Sequence, residues 1–165
     1  MNPRELAAHK RANKFLARTP QFNKMVRNKL PKPFNKIGRQ GSYATDLIPV
    51  SDEHRVIFMW HDGPERTDRS FYGYLLCVVH NDDLYPIFEF HYHPSHKGLH
   101  CKTPCKTAAD YRNRLLPRAP ELNLKSHRDF DPRLESDRAE LIRIFCQAVG
   151  VETPIRINRQ GELWN

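Results

Sequence analysis

Hydrophobic and polar residues alternate along the middle of the chain, a pattern that predicts β-strands. The predicted strands run over Tyr43 to Val50, Arg55 to Trp60, Phe71 to His80 and Leu84 to His93. Residues 81–83, Asn-Asp-Asp, indicate a turn between the last two, because both residue types tolerate a left-handed backbone. We therefore expect an antiparallel sheet of about four to six strands. Pro86 lacks an amide hydrogen, so its strand should lie at an edge or be bulged near its start.

The N-terminal third of the chain has a weaker, helical pattern. Asn2 and Pro3 form a typical helix start, which predicts a helix over Arg4 to Ala17. A second helix is expected over Gln21 to Leu30, and an extended basic linker should follow it over Lys32 to Ser42. We expect these N-terminal residues to form an arm that the rest of the chain does not need for folding.

The C-terminal part carries the most regular helical pattern. Asp131 and Pro132 indicate its start and Gly150 its end. The residues expected on its buried side are Leu134, Leu141, Phe145 and Ala148. Residues 155–158 and 162–164 are expected to pair as a short terminal hairpin.

Together these elements predict an α+β fold, in which N-terminal helices and one amphipathic C-terminal helix pack on the antiparallel sheet. A chain of 165 residues is large enough for one hydrophobic core. We divide it into a basic arm and linker, 1–42, and a single α+β body, 43–165. The longest apolar run, 75–79, is far shorter than the ~20 residues that span a bilayer, and no secretory signal is visible, so we expect a cytoplasmic protein without membrane contact.

Positive charge is concentrated in two zones. Residues 1–42 carry a net charge of +10, whereas 43–165 carry −2, and a second local excess runs from Lys97 to Arg128. Clustered basic residues favour a polyanion, because lysine and arginine release counterions when they bind phosphates. The candidate nucleic-acid contacts are Arg11, Lys14, Lys97, Lys102, Lys106, Arg112 and Arg114. An acidic protein is a second candidate partner, and charge that serves solubility alone is the alternative.

Metal-ligand side chains are concentrated between residues 89 and 105. In the strand 84–93, alternation places Phe88, Phe90 and Tyr92 on one face and Glu89, His91 and His93 on the other. Pro94 should end the strand, and Gly98 should let the chain return toward it. Four further ligand-type residues then follow: His96, His100, Cys101 and Cys105.

Three interpretations of this segment remain open. Zinc prefers neutral imidazole and thiolate, so His93, His100, Cys101 and Cys105 form one candidate metal site. General acid and base catalysis without a metal would use His91, His93 or His96 together with Glu89. A solvated polar surface without chemistry is the third interpretation.

Several enzyme classes are excluded by their missing motifs: there is no P-loop, no dinucleotide glycine fingerprint and no nucleophile elbow. In size and composition the chain is similar to ribonuclease toxins of toxin–antitoxin modules. We therefore predict a nucleic-acid-binding protein that cleaves RNA or DNA at the His-rich segment. The alternative is a non-enzymatic adaptor, stabilised by zinc, that binds nucleic acid or protein.

Overall fold

The structure is a computed structural model that describes residues 2–26, 29–32, 34–36, 40–79, 83–95, 98–102 and 129–154. Two α-helices are present in these ranges, α1 (Pro3–Arg11) and α2 (Glu135–Val149). The strands are β1 (Lys14–Phe15), β2 (Asn23–Lys24), β3 (Ser42–Ala44), β4 (Ile48–Pro49), β5 (His54–His61), β6 (Ser70–Val78), β7 (Leu84–His93), β8 (Gly98–Lys102) and β9 (Val151–Glu152). Short 3-10 helices occupy Phe34–Lys36 and Arg66–Asp68.

The predicted α+β fold is confirmed. Seven strands form an antiparallel sheet in the order β2-β3-β5-β6-β7-β8, with β4 paired to β5. The register between β6 and β7 shifts near Pro86, so that Leu75 pairs with Phe88 and Leu76 with Pro86. The expected irregularity at the start of β7 is therefore present, because one strand accommodates an extra residue there. The predicted hairpin turn at 81–83 and the terminal hairpin lie largely or wholly outside the described residues.

One face of the sheet, here named the covered face, packs against α2. Phe145 of the helix contacts Phe58, Phe88 and Phe90, with ring centroids 5.1, 6.1 and 5.9 Å apart. Leu141, Phe145 and Ala148 are buried as predicted. The helix ends at Gly150, whose φ of 64° is the left-handed geometry that glycine provides at a helix end. This packing forms the main hydrophobic core.

The start of α2 differs from the prediction. Residues 131–134 form a turn, in which the Asp131 carboxylate accepts from the Arg133 amide, and the helix begins only at Glu135. Leu134, expected on the buried side, is 53% exposed because it precedes the helix. The Asp137 carboxylate accepts a hydrogen bond from the Asp131 amide and so fixes the turn to the helix. None of the helices in the described ranges is long and apolar enough to cross a membrane.

The N-terminal residues are packed more closely on the body than the sequence suggested. The capping box of Asn2 and Glu5 starts α1, but the helix ends at Arg11, and the chain then pairs with the C-terminal part through β1 and β9. The helix predicted over 21–30 is wrong, since this stretch contains β2, which pairs with β3. Leu6, Leu16 and Phe34 are buried in the two hydrophobic clusters of the protein. Tertiary contacts therefore outweigh local helical preference here.

Candidate metal centre

A cluster of histidines lies on the second face of the sheet, here named the polar face, over β6, β7 and β8. Alternation along β7 puts Glu89, His91 and His93 on this face, as predicted, while Phe88 and Phe90 enter the core. β7 ends before Pro94, and Gly98 adopts a φ of 58° that lets β8 return beside it. The returning strand pairs His100 directly opposite His91. Cross-strand neighbours lie on the same face, so His100 joins the other two.

His91, His93 and His100, the histidine cluster, are close enough to bind one ion together. One ring nitrogen of each lies within 4.8 Å of those of the other two. The rings of His93 and His100 are stacked at 5.4 Å, and the ring of His91 meets each of them edge-on. This confirms the prediction that His91 and His93 share a face and lie within reach of at least one of His96, His100, Cys101 and Cys105, and the residue is His100.

The hydrogen bonding of His100 Nδ1 and of His91 Nε2 favours the binding of a cation by the cluster. His100 Nδ1 lies 3.1 Å from the Gly98 carbonyl oxygen, which accepts a hydrogen bond when Nδ1 carries the proton. That tautomer leaves Nε2 of His100 as a lone-pair donor, the usual state of a metal-binding histidine. His91 Nε2 is buried and makes no hydrogen bond. A buried nitrogen without a hydrogen bond is costly, and a bound cation would remove this cost.

Glu89 and Lys102 flank the cluster on the same face. Glu89 Oε2 lies 3.4 Å from His91 Nε2, close enough for an ionic contact. The contact with His91, aided by the charge of Lys102 and opposed by burial, lowers the pKa of Glu89. Lys102 pairs directly opposite Glu89 in the register of β7 and β8. An ionised carboxylate and an ammonium group therefore stand beside the three imidazoles.

Tyr72 and Tyr74 form the wall of the cluster on β6. The Tyr72 ring lies 5.2 Å from the rings of both His91 and His93, and the Tyr74 ring lies 5.9 Å from that of His91. Burial, with the charge of Glu89, raises the pKa of Tyr74, so its hydroxyl keeps its proton. The sequence did not single out these tyrosines. Their position two residues apart on a strand that precedes a turn into β7 was the available signal.

Cys101 is not brought to the histidine cluster, although it was predicted as a metal ligand beside His100. It follows His100 in β8, so its side chain enters the opposite, covered face, where it pairs with Phe90 and is 0% exposed. The structure shows Cys77, Cys101 and Cys146 buried and not disulfide-bonded. The other predicted site residues of this region, His96, Lys97, Cys105, Lys106, Arg112 and Arg114, lie outside the described residues.

The two predicted nucleic-acid contacts of the arm have different environments. Arg11 is exposed at the end of α1. Lys14 is only 3% exposed, and its Nζ donates to the carbonyl oxygens of His9, Lys10 and Ala12. Burial and the charge of Lys10 lower the pKa of Lys14 to about 8. The Lys14 ammonium group closes the C-terminus of α1 and does not face solvent, and nucleic-acid binding by Arg11 and Lys14 stays a prediction.

Comparison with known proteins gives no match at any level. No family model matches the sequence. No curated protein matches it, and no solved structure matches the fold. The function is therefore inferred from the side chains that the sheet brings together.

Proposed function

We propose that this protein is a zinc-dependent hydrolase that cleaves phosphodiester bonds in nucleic acid, with zinc held by His91, His93 and His100. The observation that carries the proposal is the histidine cluster, in which three imidazoles from two strands place ring nitrogens within 4.8 Å of one another. Zinc is bound at ~2.0 to 2.1 Å by imidazole, so small side-chain rotations suffice to bring three nitrogens onto one ion.

A set of three ligands, as found in the part of the chain that the structure describes, favours catalysis over a purely structural role. Structural zinc sites are closed by four protein ligands, whereas catalytic sites use three and leave a position for water or substrate. Cys101 points into the covered face and cannot supply a fourth ligand. The hydrogen bond of His100 to the Gly98 carbonyl is the kind of outer contact that orients a metal-binding histidine.

The residues around the cluster suit hydrolysis of a phosphodiester. His91, His93 and His100 would hold the zinc, which would lower the pKa of a bound water and polarise a phosphoryl oxygen. Glu89 accepts the proton that the attacking water loses as its oxygen bonds to phosphorus. Lys102 neutralises charge that develops on the phosphate, and the leaving alkoxide takes up a proton from solvent as its bond to phosphorus breaks.

Charge supports the choice of nucleic acid as the substrate. The chain carries a net charge of +8. One of its positive side chains, Arg11, is exposed at the end of α1. Basic surfaces bind nucleic-acid backbones without reading the sequence. A cytoplasmic location belongs to the same proposal, and it agrees with buried thiols that form no disulfide.

The decisive experiment combines metal analysis with a cleavage assay. Purified protein should contain about one zinc per chain, since three ligands define one site. Labelled single- and double-stranded RNA and DNA are incubated with native, chelated and zinc-reloaded protein. We expect cleavage by the native protein, loss on chelation and recovery with zinc. His100→Ala should abolish both zinc binding and cleavage, whereas His9→Gln, which removes a histidine outside the cluster, should preserve both.

Three results would overturn the proposal. Zinc binding with nucleic-acid binding but without cleavage would indicate an adaptor, especially if chelation lowered the melting temperature and His91→Ala abolished the metal. Cleavage that survives chelation and is lost in His91→Ala would indicate metal-free acid and base catalysis. Absence of both metal and cleavage would leave the cluster as a polar surface.

A further inference from the structure

We infer that a cavity beside the histidine cluster binds a neutral heteroaromatic ring, of which a nucleobase is the example that matches the proposed substrate. The cavity has a volume of about 260 Å³ and lies over β5 and β6 on the polar face. Tyr72 and Tyr74 belong both to its lining and to the wall of the histidine cluster. The inference rests on the proposed function for the link between the ring and a cleavable phosphodiester.

The cavity is lined by aromatic rings and thioethers at one end and by polar side chains at the other. Tyr72 and Tyr74 present ring surface, and Met25 and Met59 add flexible thioethers that adapt to a planar ligand. The other end is formed by Ser42, His61 and Ser70, and Ser42 Oγ lies 3.3 Å from His61 Nδ1. A ligand with a ring face and hydrogen-bonding edges matches both ends.

Charge and size narrow the class of ligand. None of the described residues that line the cavity is Asp, Glu, Lys or Arg, so the cavity favours an uncharged group over a phosphate. Its volume lies below the ~300 to 1,000 Å³ of pockets that hold drug-sized molecules. One ring system fits these limits, with its charged backbone outside, toward Lys102. The Tyr72 ring lines the cavity, and its centroid lies 5.2 Å from those of the His91 and His93 rings. A ring bound in the cavity therefore lies next to the proposed zinc.

The methionines provide a direct test. The chain has three methionines, and Met25 and Met59 line the cavity. In metal-free protein labelled with ¹³C at the methionine methyl groups, adenosine or uridine should shift the resonances of Met25 and Met59 with one common Kd. Inorganic phosphate and ribose should shift neither. Met25→Leu and Met59→Leu assign the signals.

A blocking variant tests the same site by a second route. Met25 is half-buried at the cavity, whereas its neighbour Val26 is 59% exposed and does not line it. Met25→Trp should fill the space and weaken nucleoside binding by at least about tenfold, while the matched Val26→Trp should leave it unchanged. Zinc binding should be the same in both variants, since neither residue touches the histidine cluster.

The outcomes separate this inference from the proposed function. The inference is wrong if ~10 mM nucleoside shifts no cavity methyl, or if both tryptophan variants bind equally, since stacking on aromatic rings should give a measurable Kd in this range. Shifts caused by phenol or toluene but not by nucleosides would also overturn it and indicate an aromatic side chain as the ligand. Nucleoside binding without zinc-dependent cleavage would support the inferred binding site and contradict the proposed nuclease function.

Discussion

The two faces of β7 are both buried, but by different kinds of side chain. β7 contributes to both: Phe88 and Phe90 pack under α2 on the covered face, while Glu89 and His91 stand on the polar face. His91 and His100 are 8% and 1% exposed, nearly as buried as the phenylalanines behind them. Burial of apolar rings stabilises a fold, whereas burial of imidazole and carboxylate costs free energy unless a partner compensates it. In β7, one face therefore contributes to stability and the other carries the candidate chemistry.

The largest effect is expected on the covered face. Phe145→Ala should lower the free energy of unfolding by about 3 to 5 kcal/mol, because the ring is fully buried against Phe58, Phe88 and Phe90. Urea unfolding of metal-free protein measures this change. His93→Ala on the polar face should cost less than about 1 kcal/mol under the same conditions. Equal losses in the two variants would contradict a division between the faces.

The second prediction separates two adjacent residues of β8. Zinc at about 100 times its Kd should stabilise the parent protein by about 2.7 kcal/mol, and His100→Ala should lose this entire increment. Cys101→Ser should retain it, because Cys101 faces the core, but should destabilise the protein by about 1 to 3 kcal/mol with or without zinc. Thermal unfolding with and without zinc checks both. Loss of zinc binding in Cys101→Ser would restore the thiolate as a ligand.

The third prediction concerns a histidine on the covered face. Alternation along β5 places His54 on the side of Val56 and Phe58. Its ring contacts His9 and shares a hydrogen bond of 2.8 Å with the Ser51 hydroxyl. Burial, followed by the charges of Lys14, His9 and Arg55, lowers the pKa of His54 to about 4. The unfolded chain takes up this proton near pH 6.5, so protonation favours unfolding between these values.

Stability from His54 is therefore complete above about pH 6.5 and is lost as the pH falls toward 4. We expect a loss of about 2 kcal/mol, below the full value of the shift, because solvent screens part of the interaction. Urea titrations at several pH values, compared between the parent and His54→Gln, isolate this contribution from that of the carboxylates. Parallel curves for the two proteins would show that His54 is already charged in the fold.

The smallest effect is expected at the edge of the histidine cluster. Glu89→Gln should weaken zinc binding by about tenfold, or about 1.4 kcal/mol, since it removes a negative charge that lies 3.4 Å from His91 Nε2 and attracts the cation. Competition with a chromogenic zinc chelator measures the affinity. Complete loss of zinc would make Glu89 a ligand.

The sequence alone determined the parts of the fold that depend on local patterns. Alternation in β7 has a period of two residues, which assigns Glu89, His91 and His93 to one face whatever the strand packs against. Gly150 at the end of α2 and Gly98 at the start of β8 follow from the backbone geometry that only glycine adopts at low cost. The α+β fold class could be predicted for the same reason.

Only the tertiary structure decided which side chains meet. The register between β8 and β7 places His100 opposite His91 and Cys101 opposite Phe90. His100 therefore joins the cluster and Cys101 does not, because alternate residues of a strand lie on opposite faces. Lys14 is buried and caps the C-terminus of α1, although lysine is usually exposed. Residues 21–30 have a helical pattern in the sequence but contain β2, which pairs with β3. These choices depend on contacts between residues far apart in the chain, which local periodicity does not contain.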